Sequence, residues 1–419
     1  MRIAITSDIY YPMINGVAMF ARNLAGGLQK RGHEVIVLAP SLTGKSSVEV
    51  DEEDGFRVFR LSSFRMALYP DQIEKVPARK KIGNKELPRL FYKNGLHVSL
   101  NAYSEVQEIL QDFQPDIIHD QTPGPVAIAV FRYAKKYHVP IVATDHAYPD
   151  NLTQQLKLPK SFKRPLNRTM NHYFTSFLRH SDYATMPTER AIADLAPKHS
   201  KVPVEALSNG IDLSRFQPKP AKAAIYEKYH LPKNQPCVLY VGRVDPEKSL
   251  EVLLQAFVAL AKKLKRVHLI IVGDGTARPA LEEMAQAANL TQRVHFLGRV
   301  VGADLPELYR VASVFAISSK TETQSIVLME AMASGLPCVA VAAGALPELI
   351  QDNENGFLCP PDNVDAMSNA LAKILSDKEM AQKMSEQSLK KVKKHDIRHT
   401  LARIEEIYET VLAKRAEQE

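Results

Sequence analysis

Apolar runs of strand length alternate with amphipathic stretches of helix length, and the alternation occurs twice along the chain. In the first half, Ile3-Ala4-Ile5 leads into a helical stretch over 17–31 and then Val35-Ile36-Val37-Leu38-Ala39. Ile117-Ile118-His119, a helical stretch over 126–137 and Ile141-Val142-Ala143-Thr144 follow. The rhythm restarts at Cys237-Val238-Leu239-Tyr240-Val241-Gly242. It then runs through a helix over 249–264, Leu269-Ile270-Ile271-Val272-Gly273, a helix over 277–288 and Val294-His295-Phe296-Leu297. Strands that are apolar on both faces need a helical layer on each side, so each half predicts an α/β, doubly wound parallel sheet. A chain of 419 residues suits two such domains of roughly 200 residues each. Five prolines fall between 196 and 235, which places the boundary near 200. The stretch 62–103 has little apolar periodicity and reads as a functional loop.

Composition narrows the function classes. With 45% hydrophobic and 24% charged residues, the chain is a globular one with enough apolar matter for two cores. No run of eighteen apolar residues is present to span a membrane, and the first residues pass straight into a strand, so no signal peptide is expected. Cys237, Cys338 and Cys359 sit in or beside apolar runs without metal spacing and read as reduced core residues. The net charge of +7 allows an anionic partner, yet no nucleic-acid motif accompanies it. Two basic clusters stand out. Lys75, Arg79, Lys80, Lys81, Lys85, Arg89 and Lys93 are interleaved with Leu87, Leu90, Phe91 and Tyr92. Lys157, Lys160, Lys163, Arg164 and Arg168 surround Leu158, Phe162 and Leu166.

The densest chemistry lies in 314–341. Val314-Phe315-Ala316-Ile317 is a strand, and Ser318-Ser319-Lys320-Thr321-Glu322-Thr323-Gln324 a polar loop. From Ser325 the residues favour a helix that Gly335 and Pro337 stop. Glu322 then lies in the loop and Glu330 about a turn and a half into the helix. The backbone N–H groups of residues 324–327 at the helix start suit a phosphate, and a carboxylate on either side can accept hydroxyls of a sugar and a ribose. Taken alone, the same residues read more readily as an amphipathic helix with a solvated Glu and a polar loop, by roughly two to one.

This segment resembles the E-x7-E signature of retaining glycosyltransferases of family 4, whose GT-B fold consists of two facing Rossmann-like domains. Gln324-Ser325 stands where the family usually has Phe-Gly. Gly242-Arg243-Val244-Asp245-Pro246-Glu247-Lys248 resembles the family's G-R-x-x-x-E-K diphosphate loop in full. Gly16, behind Asn15, matches the second glycine of the family's Gly-Gly. Thr144-Asp145-His146 resembles its T-x-H, Gly344-Ala345-Leu346-Pro347-Glu348 its G-G-x-P-E turn, and His119 with Pro123-Gly124-Pro125 its H-x-H-x-P-G-P turn on the acceptor side.

The resemblance implies an acceptor-binding domain over 1–200, a nucleotide-sugar domain over 201–397, and a final helix within 398–419 that crosses back to the first domain. It implies catalytic roles for Glu322, His146, Arg243 and Lys248. Donor contacts fall to Gly16, Gly242, Arg243, Lys248, Gly273, Arg299, Glu322, Thr323, Gln324, Ser325, Ile326 and Glu330. Glu330 takes the ribose and Glu322 the sugar. No cofactor and no metal is expected, since the chain has no Asp-x-Asp.

Leu61-Ser62-Ser63-Phe64-Arg65, Tyr69-Pro70 and Thr122-Pro123-Gly124-Pro125 are similar in order to bacterial enzymes that glycosylate diacylglycerol or phosphatidylinositol. That implies UDP-glucose as donor and a membrane lipid as acceptor. The alternative is GDP-mannose with phosphatidylinositol or a soluble acceptor. Arg79, Lys80, Lys81, Lys160, Lys163 and Arg164 become contacts to an anionic membrane, which puts the protein in the cytoplasm on the inner face of the cell membrane. A solvated basic face explains the same clusters equally well. A nicotinamide oxidoreductase would need Gly-x-Gly-x-x-Gly after the first strand, where 8–17 offers one glycine. A non-catalytic homologue would not need Arg243, Lys248, Glu322 and Glu330 together.

Overall fold

The first sheet is organised about β1 (Arg2–Thr6), whose residues Ile3, Ala4 and Ile5 are fully buried in a computed structural model. The residues described are all but 14, 52, 67–71, 76–90, 95–96, 101, 147–158, 196–200 and 418–419. On one side of β1 lie β2 (Glu34–Pro40), β4 (Arg57–Leu61) and the edge strand β3 (Ser47–Val50). On the other lie β5 (Ile117–Asp120), β6 (Ile141–Thr144), β7 (Tyr183–Met186) and β8 (Val204–Ala206). Every pairing is parallel except β3 with β4. Within the stretch 62–103, the described residues form two small antiparallel pairs, Phe64–Arg65 with His97–Val98 and Gln72–Lys75 with Phe91–Asn94.

The second sheet has the order β11-β10-β9-β12-β13-β14. Its strands are β9 (Cys237–Val241), β10 (His268–Val272), β11 (Val294–Gly298), β12 (Val314–Ile317), β13 (Cys338–Val341) and β14 (Gly356–Cys359), all parallel. Its central residues, Val238, Leu239, Ile270 and Phe315, are fully buried between helix layers. The three cysteines are free and buried.

The helices form where an apolar face meets a cap. In α1 (Gly16–Lys30), Asn15 accepts the Ala18 N–H with its side chain, Phe20, Leu24 and Leu28 bury one stripe, and Lys30 meets the negative end of the helix. α2 (Pro125–Tyr137) begins with proline, which lacks the N–H that the first turn could not pair.

Two compact units result, Met1–Leu207 with Leu401–Glu419, and Ser208–Thr400. The division falls seven residues beyond the position expected from the prolines, because Val204–Ala206 pairs with β7 as an edge strand of the first sheet. The last helix, α8 (Ile397–Ala416), is the element through which the chain returns to the first unit. Leu401, Ile404, Ile407, Tyr408 and Val411 are buried, and a side chain at Gly27 would run into Leu401. Arg403 pairs with Glu205, while Arg31 and His33 both reach Glu405.

The Tyr408 hydroxyl hydrogen-bonds His119 Nδ1 at 2.6 Å, and His119 Nε2 meets Thr144 Oγ1 at 2.7 Å. Burial, with a smaller effect from His146, lowers the His119 pKa to about 3. Its neutral form therefore stabilises the fold fully above about pH 6.5, and that contribution is lost as pH falls toward 3. Tyr408→Phe leaves the buried ring nitrogen without its partner. A denaturant series at pH 7.5 should show a loss of about 1–3 kcal/mol; an unchanged midpoint would mean that the contact does not hold α8.

Candidate active site

Strand order reverses beside β9: β10 and β11 lie on one side and β12, β13 and β14 on the other. The loops leaving neighbouring strands at such a reversal diverge and open a crevice at their carboxyl ends. β9 delivers residues 242–249 there, and β12 delivers 318–325. Lys248 Nζ lies 2.7 Å from Glu322 Oε1, with side-chain exposures of 15% and 13%, and Ser318 Oγ donates to the Lys248 carbonyl at 3.0 Å. Burial raises the Glu322 pKa, but the Lys248 ammonium and the Ser319 hydroxyl outweigh it and hold the carboxyl below its ordinary range. Glu322 is thus an anion paired to a cation across the switch point.

Arg243 is held in place from within its own loop. Its guanidinium reaches Asp245 at 2.8 Å and Glu247 at 2.5 Å, and its carbonyl accepts from the buried Tyr240 hydroxyl at 2.8 Å. Asp245 also accepts from the Thr276 N–H at 2.9 Å and its hydroxyl at 3.0 Å, which ties this loop to the one that follows β10. Glycine is required there. Gly273 has φ +140°, and a Cβ on it would lie 1.8 Å from the Gly242 carbonyl oxygen.

The helix α7 (Ile326–Ala333) starts beside this pair. Ser325 occupies its cap position without a side-chain bond to the first turn, and a helix start left without such a cap is one where an anion can bind. Four residues into the helix, Glu330 is half-buried, and its Oε2 accepts from the Tyr309 hydroxyl at 2.7 Å. Burial pushes the Glu330 pKa up to about 7, against the Tyr309 hydrogen bond and Arg215, which both lower it.

Gln324, expected at the donor, has its amide engaged elsewhere: Oε1 accepts from the Asn209 N–H at 2.8 Å and Nε2 donates to Ser208 Oγ at 3.1 Å. A polar residue anchors this loop where the family uses Phe. The Gly344 turn supports it from the other side, since Ala345 N donates to the Glu322 carbonyl at 2.9 Å and Gly344 at φ +54° leaves no room for a side chain. Arg299 is exposed just past β11, and Arg278, opening α5 (Arg278–Ala287), brings its guanidinium beside Gly298 and within 3.5 Å of the Phe296 carbonyl. α4 (Leu250–Lys263) follows Lys248 and buries Leu253, Leu254 and Phe257 against the sheet.

In the first unit the same rule applies at β1 and β5, where order again reverses. Gly16 is exposed at the first position of α1 and Asn15 caps that helix, which accounts for asparagine where the family has glycine. His146, at the end of β6, places Nε2 2.9 Å from Gln121 Oε1 and its ring 4.7 Å from that of Phe20. Asp8 is buried; burial raises its pKa to about 7, although the Val126 and Ala127 amides of α2 hydrogen-bond it. His119, expected to shape the acceptor side, is fully buried, with Tyr408 of α8 and Thr144 as its hydrogen-bond partners. Arg79, Lys80 and Lys81 lie outside the described residues. Lys160 opens α3 (Lys160–Leu178), on which Arg164 and Arg168 are exposed and Lys163 is half-buried.

Residues 221–391 match the family described as glycosyl transferases group 1, and residues 14–215 match glycosyltransferase family 4. The chain is 25% identical over 362 residues to an alpha-monoglucosyldiacylglycerol synthase of Streptococcus pneumoniae, covering 85% of this chain and 75% of that protein. It is 27% identical over 365 residues to a GDP-mannose-dependent alpha-mannosyltransferase of Mycobacterium tuberculosis, covering 86% of this chain and 84% of that one. Among solved structures, sucrose-phosphate synthase from Thermosynechococcus elongatus superposes with a TM-score of 0.76 over 98% of this chain and 99% of its own, at 20% identity. The two-domain GT-B architecture is therefore shared.

Sequence patterning did not single out Asp245, Thr276, Arg278 or Tyr309, because the contacts Asp245–Thr276, Arg278–Phe296 and Tyr309–Glu330 each join residues distant in sequence. Asp245→Ala cuts both the hold on Arg243 and the tie to Thr276. It should lower the unfolding free energy by about 2–4 kcal/mol, more than Arg243→Ala does. Equal midpoints for the two variants would show that Asp245 does not join the loops.

Proposed function

The chain belongs to the family 4 glycosyltransferases, and we propose that it moves a hexose, with retention, from a nucleoside diphosphate sugar to a lipid hydroxyl. UDP-glucose is the donor of first choice and diacylglycerol the acceptor. The observation that carries this reading is the apposition of Lys248 and Glu322 beside the start of α7, with Arg243 fixed on the same loop. A departing diphosphate gains negative charge as the glycosidic bond breaks, and cations already in place stabilise that charge without reorganising. Arg243 can fork onto phosphate oxygens, Lys248 adds a point charge, and the α7 amides complete the cradle. Glu322 faces the sugar, Glu330 accepts ribose hydroxyls, and His146 belongs to the reacting face. In this reading no metal takes part, because the protein's own cations serve the diphosphate.

A lipid acceptor requires the enzyme to work at the bilayer surface, since exposing acyl chains costs about 0.8 kcal/mol per CH₂. α3 supplies a suitable face. It contains no Asp or Glu; Phe162 is 65% exposed among Lys163, Arg164 and Arg168, while Phe174, Phe177 and Leu178 anchor its other end in the core. Each basic side chain contributes about 1 kcal/mol at an anionic surface. Among the described residues no helix is long and apolar enough to cross a membrane, so the proposed attachment is peripheral, at the cytoplasmic face. A second reading, a GDP-mannose-dependent mannosyltransferase, is favoured by the relative that shares that name and aligns over most of both chains.

Turnover with UDP-glucose and GDP-mannose separates the two donors, and the anomeric configuration of the product tests retention: an α-linked donor should give an α-linked product. Arg243→Ala and Lys248→Ala should each lower kcat at least about tenfold, with a chelator leaving activity nearly intact. Full turnover in both variants would place the diphosphate elsewhere. Replacing Lys163, Arg164 and Arg168 by serine should weaken binding to anionic vesicles and lipid glycosylation, leaving nucleotide affinity unchanged. Vesicle binding should also weaken as salt shortens the Debye length from about 10 Å to about 3 Å. Indifference to anionic vesicles, with good transfer to a soluble sugar, would overturn the lipid acceptor.

A further inference from the structure

Tyr309 is a fully buried phenol on α6 (Asp304–Val311), and its hydroxyl is aimed at a half-buried carboxylate. Its ring stands edge-on to Phe216 at 5.6 Å and lies 6.1 Å from Phe315, so two aromatic rings fix its direction. The hydroxyl lies 2.7 Å from Glu330 Oε2 and 3.2 Å from the Val327 carbonyl, one helical turn earlier on α7. A phenol has a single proton to donate, and the shorter contact to a carboxylate is the stronger one. That bond selects which oxygen of Glu330 is turned inward. We propose that Tyr309 is the positioning residue of the donor site: it binds one oxygen of Glu330 and so presents the other, ionised, to a ribose hydroxyl of the nucleotide. The proposal rests on the donor reading above and adds to it the residue that sets the orientation and charge state of the ribose-binding group.

The groups around the pair are few. Arg215 acts on Glu330 from outside and is itself fixed by the Gly302 carbonyl at 2.8 Å. The Cys338 thiol on β13 adjoins Tyr309. The helix Lys378–Val392, packed on α7, brings the uncharged Ser385 and Leu389 to its end at Gly335. Tyr309 is thus the neutral donor, and Arg215 the cation, that keep the carboxyl ionised against burial. With the Glu330 pKa near 7, the form that accepts hydroxyls prevails above neutrality and is lost as pH falls through 7. Removing the Tyr309 hydroxyl takes away one of the groups that lower that pKa, so the midpoint moves up.

The experiment compares binding of UDP and 2′,3′-dideoxy-UDP by calorimetry from pH 5.5 to 9, with GDP and its dideoxy form in parallel and the tighter pair carried forward. In the wild type, the preference for the hydroxyl-bearing nucleotide should fall as pH drops below about 7. In Tyr309→Phe the same loss should be centred about one pH unit higher. At pH 7 affinity for the ribonucleotide is then about three- to tenfold weaker, recovering at pH 9, while affinity for the dideoxy form stays within about twofold. Recovery at high pH is something a merely misfolded variant would not show. Glu330→Gln, which keeps Tyr309, should abolish the pH dependence of the preference altogether. A limb of unchanged midpoint in Tyr309→Phe overturns the role of Tyr309 alone. Equal binding of both nucleotides by the wild type at every pH, or no binding of any of the four, overturns the ribose reading beneath it.

Discussion

The reversal of strand order beside β9 is the constraint on which the second unit depends. A parallel sheet sends all its loops to one edge, and at the reversal two of them leave in opposite directions and enclose a space. Those two loops carry Lys248 and Glu322, which meet at 2.7 Å although 74 residues separate them. The remaining features of the site are arrangements around this pair. Tyr240 and Asp245 hold the Arg243 loop, Gly242 and Gly273 let the next loop lie directly on it, and the Gly344 turn supports the backbone of Glu322.

The charged groups of the crevice are largely satisfied by one another. Arg243 has two carboxylates, Lys248 has one, and Glu330 has a phenol and a distant guanidinium. In a partly desolvated setting such pairing fixes positions as well as energies, since an unpartnered charge there would be costly. Fixed cations suit a reaction whose transition state carries more phosphate charge than its ground state. The same logic explains the different behaviour of the two glutamates. Glu322 has a cation within hydrogen-bond reach and stays ionised, whereas Glu330 faces a neutral donor and titrates near 7.

In the first unit, hydrogen-bond partners divide two buried histidines that are alike in sequence. His119 and His146 both follow apolar strand runs, yet His119 points into the core at Tyr408 and Thr144, while His146 sits at the strand end against Gln121 and Phe20. The C-terminal helix produces that difference, because it covers His119 and supplies its partner. α8 is itself held by an apolar stripe and by Glu405 and Arg403, whose partners lie hundreds of residues earlier.

What the chain determined by itself was whatever local periodicity and local backbone chemistry can encode. The strand and helix rhythm of both halves, the glycines at loop crossings, the helix start at Ser325 and the apolar stripe of 401–411 are all readable from short windows, because a strand or helix places its apolar residues at a fixed period. The loop over 242–248 and the glutamates 322 and 330 were legible as short local motifs, through their resemblance to those of the family 4 glycosyltransferases. Tertiary structure alone decided the rest. The edge strand Val204–Ala206 exists only because β7 is there to pair with it, which moved the division between the units to Leu207. Gln324 became an anchor to Ser208 and Asn209, and Tyr309 became the partner of Glu330, through contacts that join separate elements. Hydrogen-bond direction and burial are properties of the assembled neighbourhood, and no window of sequence contains both partners of such a contact.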